Sequence, residues 1–263
     1  MKGYAINIGL NTTSLRGFKK LTHAETDAEF MNKIAIDFGY NNKLLTKGEA
    51  TVKNFKNKLN EYKKVIKPGD ILFISFSGHG HRKLNVGPVE LNEYMDGYWC
   101  FRKKALLDDE LKVLLSQFKK GIRILVISDS CFSASMVGKM NRKANFRTMV
   151  NSKINFMYFL SSKIITKAIQ ESVKRNDSNQ KTEIEETIQA SVLLLAACEK
   201  NKYAKDGALT QALKNVWNND FKGNYIELHR KLVKELESIQ RPQLESYGTK
   251  DSNFDHQIPF TIK

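Results

Sequence analysis

Two short clusters in this chain carry residue types suited to nucleophilic chemistry. Ser77-Gly78-His79-Gly80 ends the apolar run Ile71 to Phe76, and Asp129-Ser130-Cys131-Phe132-Ser133 ends the run Ile122 to Ile127. A cysteine attacks an acyl carbon as its thiolate, so it needs a base nearby, and histidine titrates in the right range. Gly78 and Gly80 flank His79 without side chains, which admits a substrate backbone and leaves the Gly80 N–H free to point inward. With the Cys131 N–H it would form a pair of oxyanion donors. Taken singly, a cysteine at a strand end is commonly a buried small hydrophobe, and Ser-Gly-His-Gly is commonly a turn. Their joint occurrence at the ends of two consecutive buried strands points to a dyad with His79 as general base and Cys131 as nucleophile.

The elements around these clusters must bring them together. Tyr4 to Leu10 reads as a buried strand and Thr22 to Phe38 as a helix, with Phe30, Met31, Ile34, Ala35 and Phe38 at helical spacing and Gly39 as its stop. Lys43 to Thr46 is a second strand. Thr51 caps a second helix with Val52, Phe55, Leu59, Tyr62 and Ile66 on one face. Lys67-Pro68-Gly69-Asp70 is turn chemistry. Ile71 to Phe76 is apolar on both faces, as expected of a central strand covered on both sides. Residues from His81 to Gly97 read as an irregular loop and Tyr98 to Phe101 as a short strand. Asp108 or Asp109 starts a helix carrying Leu111, Leu114, Leu115 and Phe118. Ile122 to Ile127 and Ser191 to Ala197 are further buried strands. Helices follow over Gly207 to Asn218 and Asn224 to Ile239, the second opened by a capping-box pattern, Asn224 with Glu227. Gln240 to Tyr247, which contains Pro242, reads as an edge strand.

This alternation predicts an α/β/α sandwich around a mostly parallel sheet of about six strands. Sites in such sheets form beyond the carboxyl ends of the strands, where both clusters lie. Neighbouring strands are about 5 Å apart, so side chains from adjacent ends can meet. Asp27 sits on or beside the inward stripe of its helix, where an unpaired carboxylate is costly. Two readings fit it: a buried functional acid, or an acid in the first turn favoured by the helix dipole.

The 263 residues, 41% of them hydrophobic, with two Trp, nine Tyr and fifteen Phe, describe a globular protein. Three scattered cysteines, Cys100, Cys131 and Cys198, exclude a disulfide framework and a paired-cysteine metal site, and fit a reducing compartment. The N-terminus enters a strand at once and has no signal-peptide pattern. The longest apolar run, Val192 to Cys198, is too short to span a membrane. A cytoplasmic protein is expected. The net charge of +15 fits either a lysine-rich solvated surface or attraction to nucleic acid, anionic membrane or an acidic protein. Residues 134–190 break the α/β pattern with many Lys and Arg, among them Lys139, Arg142, Lys143 and Arg147.

With these residues in view, the chain resembles the caspase-fold cysteine peptidases (peptidase C14), in particular the metacaspases and the prokaryotic orthocaspases. The resemblance runs through the first strand, Thr26-Asp27-Ala28, Pro68-Gly69-Asp70, both clusters, Ala196-Ala197-Cys198, Ala208-Leu209-Thr210-Gln211-Ala212-Leu213 and Gln240-Arg241-Pro242-Gln243-Leu244. It implies one peptidase domain over residues 1–263. Residues 1–133 would form a large-subunit-like half with the dyad, 134–190 a basic insertion and 191–263 a small-subunit-like half. It implies endopeptidase activity with basic P1 preference, the S1 pocket being Asp27, Ser77 and Asp129. Two carboxylates in one pocket repel each other until a cation arrives, which is a physical reason for Arg/Lys selection. No cofactor is required. A calcium site would draw on Asp96, Asp108 and Asp109, with Val137 and Gly138 standing where a further acid is expected; a helix cap is the alternative for Asp108 and Asp109. The basic insertion is either a self-cleavage segment or a solvated loop.

The expected function is therefore an Arg/Lys-specific cysteine endopeptidase acting on protein or peptide substrates. It would be self-processing, with a role in regulated cell death or defence and a partner protein from such a system. The alternatives are a caspase-fold binding or regulatory module with unused chemistry, and a protease recruited to nucleic acid or acidic partners by its charge.

Overall fold

The structure, a computed structural model, describes residues 1–84, 95–131, 188–199, 202–218, 220–251 and 253–263. Most of the basic insertion expected over 134–190 lies outside the described residues. Strands β1 (Gly3–Gly9), β2 (Asn41–Thr46), β3 (Ile71–Ser77), β7 (Arg123–Asp129), β8 (Ser191–Ala196) and β9 (Gln243–Gly248) form one sheet in the order β2-β1-β3-β7-β8-β9. All neighbours run parallel except β9, which lies antiparallel on the edge beside β8. The predicted Pro242 edge strand thus begins one residue after the proline.

Every residue of β1, β3, β7 and β8 is buried. The sequence runs explain why: alternate residues of each strand face opposite layers, and both layers are apolar. Ile124 and Val126 pack with Phe55 and Leu59 of α2 (Val52–Val65) and Leu111 and Leu115 of α3 (Asp108–Ser116). Leu125 and Ile127 pack with Met31 and Ile34 of α1 (Ala24–Asp37), Leu209 and Leu213 of α4 (Ala208–Val216), and Leu228 and Leu232 of α5 (Tyr225–Leu236). The result is the three-layer sandwich expected.

Helix starts follow local chemistry. The Thr51 hydroxyl accepts from the Asn54 N–H at the start of α2. At α5 the Asn224 side chain accepts from the Glu227 N–H while the Glu227 carboxylate accepts from the Asn224 N–H. Each satisfies a backbone donor that the helix itself leaves open.

One stretch departs from the sequence reading. The region read as irregular between His81 and Gly97 contributes strands β4 (Gly80–Leu84) and β5 (Met95–Cys100) at its two ends. With β6 (Ala105–Leu107) they make a small antiparallel sheet in the order β4-β5-β6. Trp99 ties this sheet to the main one. Its ring stacks on Phe76 at 4.7 Å, and its indole N–H donates to Ser128 Oγ at 2.9 Å. The sequence signal was weak because β4 has glycine and charged residues and is stabilised by a distant partner rather than by its own pattern.

Replacing Asn224 with Ala is expected to lower stability by about 1 kcal/mol, the usual cost of losing an N-cap. Urea unfolding checks this, with a lower midpoint and an unchanged slope expected.

Candidate active site

The parallel register pairs Ser77, the last residue of β3, with Asp129, the last residue of β7. The chain leaves both strands at the same level, so His79 and Cys131 are carried into one place. The Gly78 N–H donates to the Asp129 carbonyl at 3.3 Å, which continues the pairing one step. Gly80 then lies against the nucleophile's backbone: a Cβ there would stand 2.1 Å from the Cys131 carbonyl oxygen. No side chain fits, so glycine is the residue that lets the two strand ends close.

The Cys100 N–H donates to the His79 carbonyl at 2.8 Å. Antiparallel pairs alternate between bonded and non-bonded, so the next pair, Gly80 with Trp99, is a non-bonded one. The Gly80 N–H therefore turns away from β5, which is the orientation an oxyanion donor needs.

His79 Nε2 lies 2.6 Å from the Lys19 carbonyl, and the ring packs on Phe18 at 4.7 Å between centroids. A carbonyl oxygen only accepts, so the hydrogen sits on Nε2 and Nδ1 keeps its lone pair. The Cys131 thiol donates to the Ala204 carbonyl at 3.5 Å. Among the described residues the two side chains share no hydrogen bond. Burial lowers the His79 pKa, with the Lys19 carbonyl and the Asp206 charge pulling the other way. Burial pushes the Cys131 thiol up to about 11, with Cys198 and Asp129 adding to it. Both groups are thus neutral at pH 7, a thiol beside an imidazole rather than an ion pair. Cys100 and Cys198 are buried thiols, in keeping with packing.

Asp27 is 1% exposed. It does not cap its helix. The Ser77 hydroxyl donates to its Oδ2 at 3.0 Å, and Lys214 Nζ of α4 stands 3.5 Å from its Oδ1. Asp27 is both buried and in the first turn of α1. Its pKa is raised by burial, against the Ser77 bond and the Lys214 charge. Asp129 is 5% exposed and receives both the N–H (2.9 Å) and the hydroxyl (2.8 Å) of Thr210 on Oδ2. Among the described residues its buried Oδ1 has no donor. Burial, and then the Asp27 charge, push Asp129 up to about 7. Asp27, Ser77 and Asp129 are therefore brought together.

Thr210, Lys214 and the Lys19 and Ala204 carbonyls belong to the site without having been assigned roles from sequence. Thr210 lies in the Ala208-Leu209-Thr210-Gln211 run, a signal that was visible but not tied to Asp129. The carbonyls carry no side-chain signal at all.

Of the suggested calcium ligands, Asp108 and Asp109 are engaged in contacts at the start of α3. Asp108 is the first residue of α3 rather than its cap; its Oδ1 accepts from the Asp109 N–H at 2.8 Å and its Oδ2 from the Gly97 N–H at 3.4 Å. Asp109 pairs with Lys112 at 2.8 Å. The Asp96 backbone pairs with Lys83 in β4, and its side chain lies outside the description. Calcium takes about six to eight oxygens. Among the described residues no three His, Cys, Asp or Glu cluster together. No described helix is long and apolar enough to cross a membrane.

Comparison with known proteins agrees with this architecture. The caspase domain family model matches residues 2–253. Metacaspase-7 of Arabidopsis thaliana is 31% identical over 147 residues, covering 51% of this chain and 35% of that protein. Metacaspase-4 of the same plant is 26% identical over 185 residues, covering 61% and 43%. The chain thus spans less than half the length of these curated relatives. The crystal structure of protein GSU0716 from Geobacter sulfurreducens superposes with a TM-score of 0.79 at 28% identity over the full length of both chains. Caspase-1 from Spodoptera frugiperda shares the fold, with a TM-score of 0.51 at 10% identity over 95% of this chain and 90% of that one.

The neutral resting pair has a direct readout. Alkylation of Cys131 by iodoacetamide, followed by mass spectrometry, is expected to rise about tenfold per pH unit from pH 7 towards about 11. A rate that is already level at neutral pH would show a thiolate–imidazolium pair instead.

Proposed function

As the chain belongs to the caspase domain family of cysteine peptidases, we propose that it is an endopeptidase cleaving after Arg or Lys through Cys131 and His79. The observation that carries the specificity is a buried acid pair beside the dyad, with one Asp129 oxygen lacking a donor. A P1 cation reaching it would supply that donor and relieve the repulsion between Asp27 and Asp129. Asp27, Ser77 and Asp129 form the S1 pocket in this reading.

The chemistry follows from the tautomer. With Nε2–H held by the Lys19 carbonyl, Nδ1 takes the thiol proton as Sγ attacks the scissile carbonyl carbon. The thiol leaves its Ala204 acceptor in that step. The developing oxyanion receives the N–H groups of Gly80 and Cys131. The imidazolium returns its proton to the departing amine, leaving a thioester. Water, deprotonated by His79, then hydrolyses the thioester and restores the thiol. A long or missing His–Cys contact before substrate binds is ordinary for such sites.

No cofactor takes part in these steps. Lys and Arg residues over 134–190 would be substrates for the same pocket, so self-processing belongs to this proposal. The family relationship supports a role in regulated cell death or defence, with a protein partner from that system.

Turnover of Arg-, Lys- and Asp-terminated fluorogenic peptides, with and without calcium and beside Cys131→Ala, tests the reading. Wild type is expected to cleave after Arg and Lys with calcium absent, and Cys131→Ala to be inactive. Cleavage after Asp would overturn the acidic pocket while leaving the dyad; no turnover of any peptide and no labelling of Cys131 by a peptidyl chloromethyl ketone would overturn the protease.

Asp129 gives the pH dependence. Its pKa of about 7 in the empty pocket means that it must lose a proton to pair with a cation. KM for an Arg peptide is therefore expected to fall as pH rises through about 7, and Asp129→Asn to flatten that change. Asp27→Asn, which keeps the Ser77 contact, is expected to lower kcat/KM for basic peptides about tenfold or more, the size of a lost charge-assisted contact.

A further inference from the structure

The carboxylate oxygens near the dyad are not equivalent. Asp27 has both oxygens engaged, one by Ser77 and one by Lys214. Asp129 has Oδ2 filled by Thr210 and Oδ1 buried without a donor. A third acid, Asp206, shows the same division. The Thr22 N–H donates to its Oδ2 at 2.9 Å, and the Thr22 hydroxyl and His23 Nδ1 crowd that oxygen at 3.2 and 3.4 Å. Asp206 Oδ1 is buried and has no donor. A buried carboxylate oxygen left open is unfavourable, and a donor brought by a ligand would relieve it.

Asp206 lies two residues before the start of α4. Its charge acts on both His79 and Asp129. It directly precedes Gly207, whose backbone is left-handed at φ 69° and backs onto Asp27. A Cβ at position 207 would lie 3.1 Å from Asp27 Oδ2 and 2.6 Å from His23 Cβ. Only a residue without a side chain lets the loop carrying Asp206 pack this closely on His23 and Asp27.

We propose that Asp206 is a further specificity residue of the S1 pocket, and that Asp206 Oδ1 and Asp129 Oδ1 together receive an arginine guanidinium. This rests on the basic-P1 reading and sharpens it: Asp27 supplies charge but is held by Ser77 and Lys214, whereas the two open oxygens make the contacts. A guanidinium presents five N–H donors along different edges of one plane, so it can satisfy carboxylates from two elements at once. An ammonium is a compact point charge with three donors and bridges them less well. The pocket therefore favours Arg over Lys, and Asp206 sets the margin.

The test is kcat/KM on two peptides identical except for Arg or Lys at P1, for wild type and Asp206→Asn, with thermal melting as the folding control. Wild type is expected to prefer Arg. Asp206→Asn is expected to lower Arg cleavage about tenfold or more with a much smaller effect on Lys, collapsing the ratio. An unchanged ratio, including an equal loss on both peptides, would overturn the role of Asp206 while leaving the basic pocket in place. If wild type cleaves neither peptide, the basic-P1 reading falls and this inference with it. Should Asp206→Asn fail to fold, Asp206→Glu keeps the charge and moves its oxygens by one methylene. It is expected to lower the Arg-to-Lys ratio as well, and an unchanged ratio there would equally overturn the inference.

Discussion

The register between β3 and β7 is the constraint on which the rest of the site depends. Side chains alternate along a strand, so Phe73, Ser75 and Ser77 share one face of the sheet, and Leu125, Ile127 and Asp129 share the same face. The apolar members of each series are buried under α1 and α4. Their burial sets the pairing, and the pairing sets Ser77 opposite Asp129. A slip by one residue would turn both apolar series to the wrong layer, which is why the core enforces the site's geometry. Gly80 completes the closure, because a side chain there would collide with the Cys131 carbonyl.

The same burial that fixes the geometry creates the electrostatic problem. Ser77 and Asp129 end their strands at the edge of a dry layer, and Asp27 comes down on them from the first turn of α1. Burial raises both acids, and the Asp27 charge further disfavours ionisation of Asp129. The fold meets this with polar groups from α4. Thr210 and Lys214 lie four residues apart and so project from one helix face. One bonds Asp129 and the other pairs with Asp27. The compensation is incomplete at Asp129, and an open acceptor remains beside the nucleophile.

Among the described residues, Cys131 and His79 hydrogen-bond to backbone rather than to each other. The thiol rests on the Ala204 carbonyl and the imidazole on the Lys19 carbonyl. Both acceptors are backbone atoms from segments distant in the chain, so reactivity depends on the placement of those segments as well as on the two side chains. Neutral partners avoid the cost of burying a separated thiolate and imidazolium before substrate arrives.

Much of this was legible from local pattern. The continuous apolar runs marked the central strands, Asn224 with Glu227 marked a helix start, and the two clusters marked the strand ends where chemistry belongs. Asp27 announced itself as an acid on an apolar stripe, although only packing showed that Ser77 and Lys214 are its partners. Strands β4 and β5 were partly missed because their stability comes from each other and from Trp99 on Phe76, not from alternation within either segment. The contacts of Thr210 and Lys214 with the two acids had no local signature. Each residue lies roughly eighty or more residues from Asp129 or Asp27 and meets them through the docking of α4. By itself, the sequence determined most of the elements and marked the two clusters at the strand ends, since periodicity and residue chemistry are written locally. The tertiary structure decided which oxygens are satisfied, which proton sits where and which acceptor stays open. Those depend on partners that the chain brings together only when the layers pack.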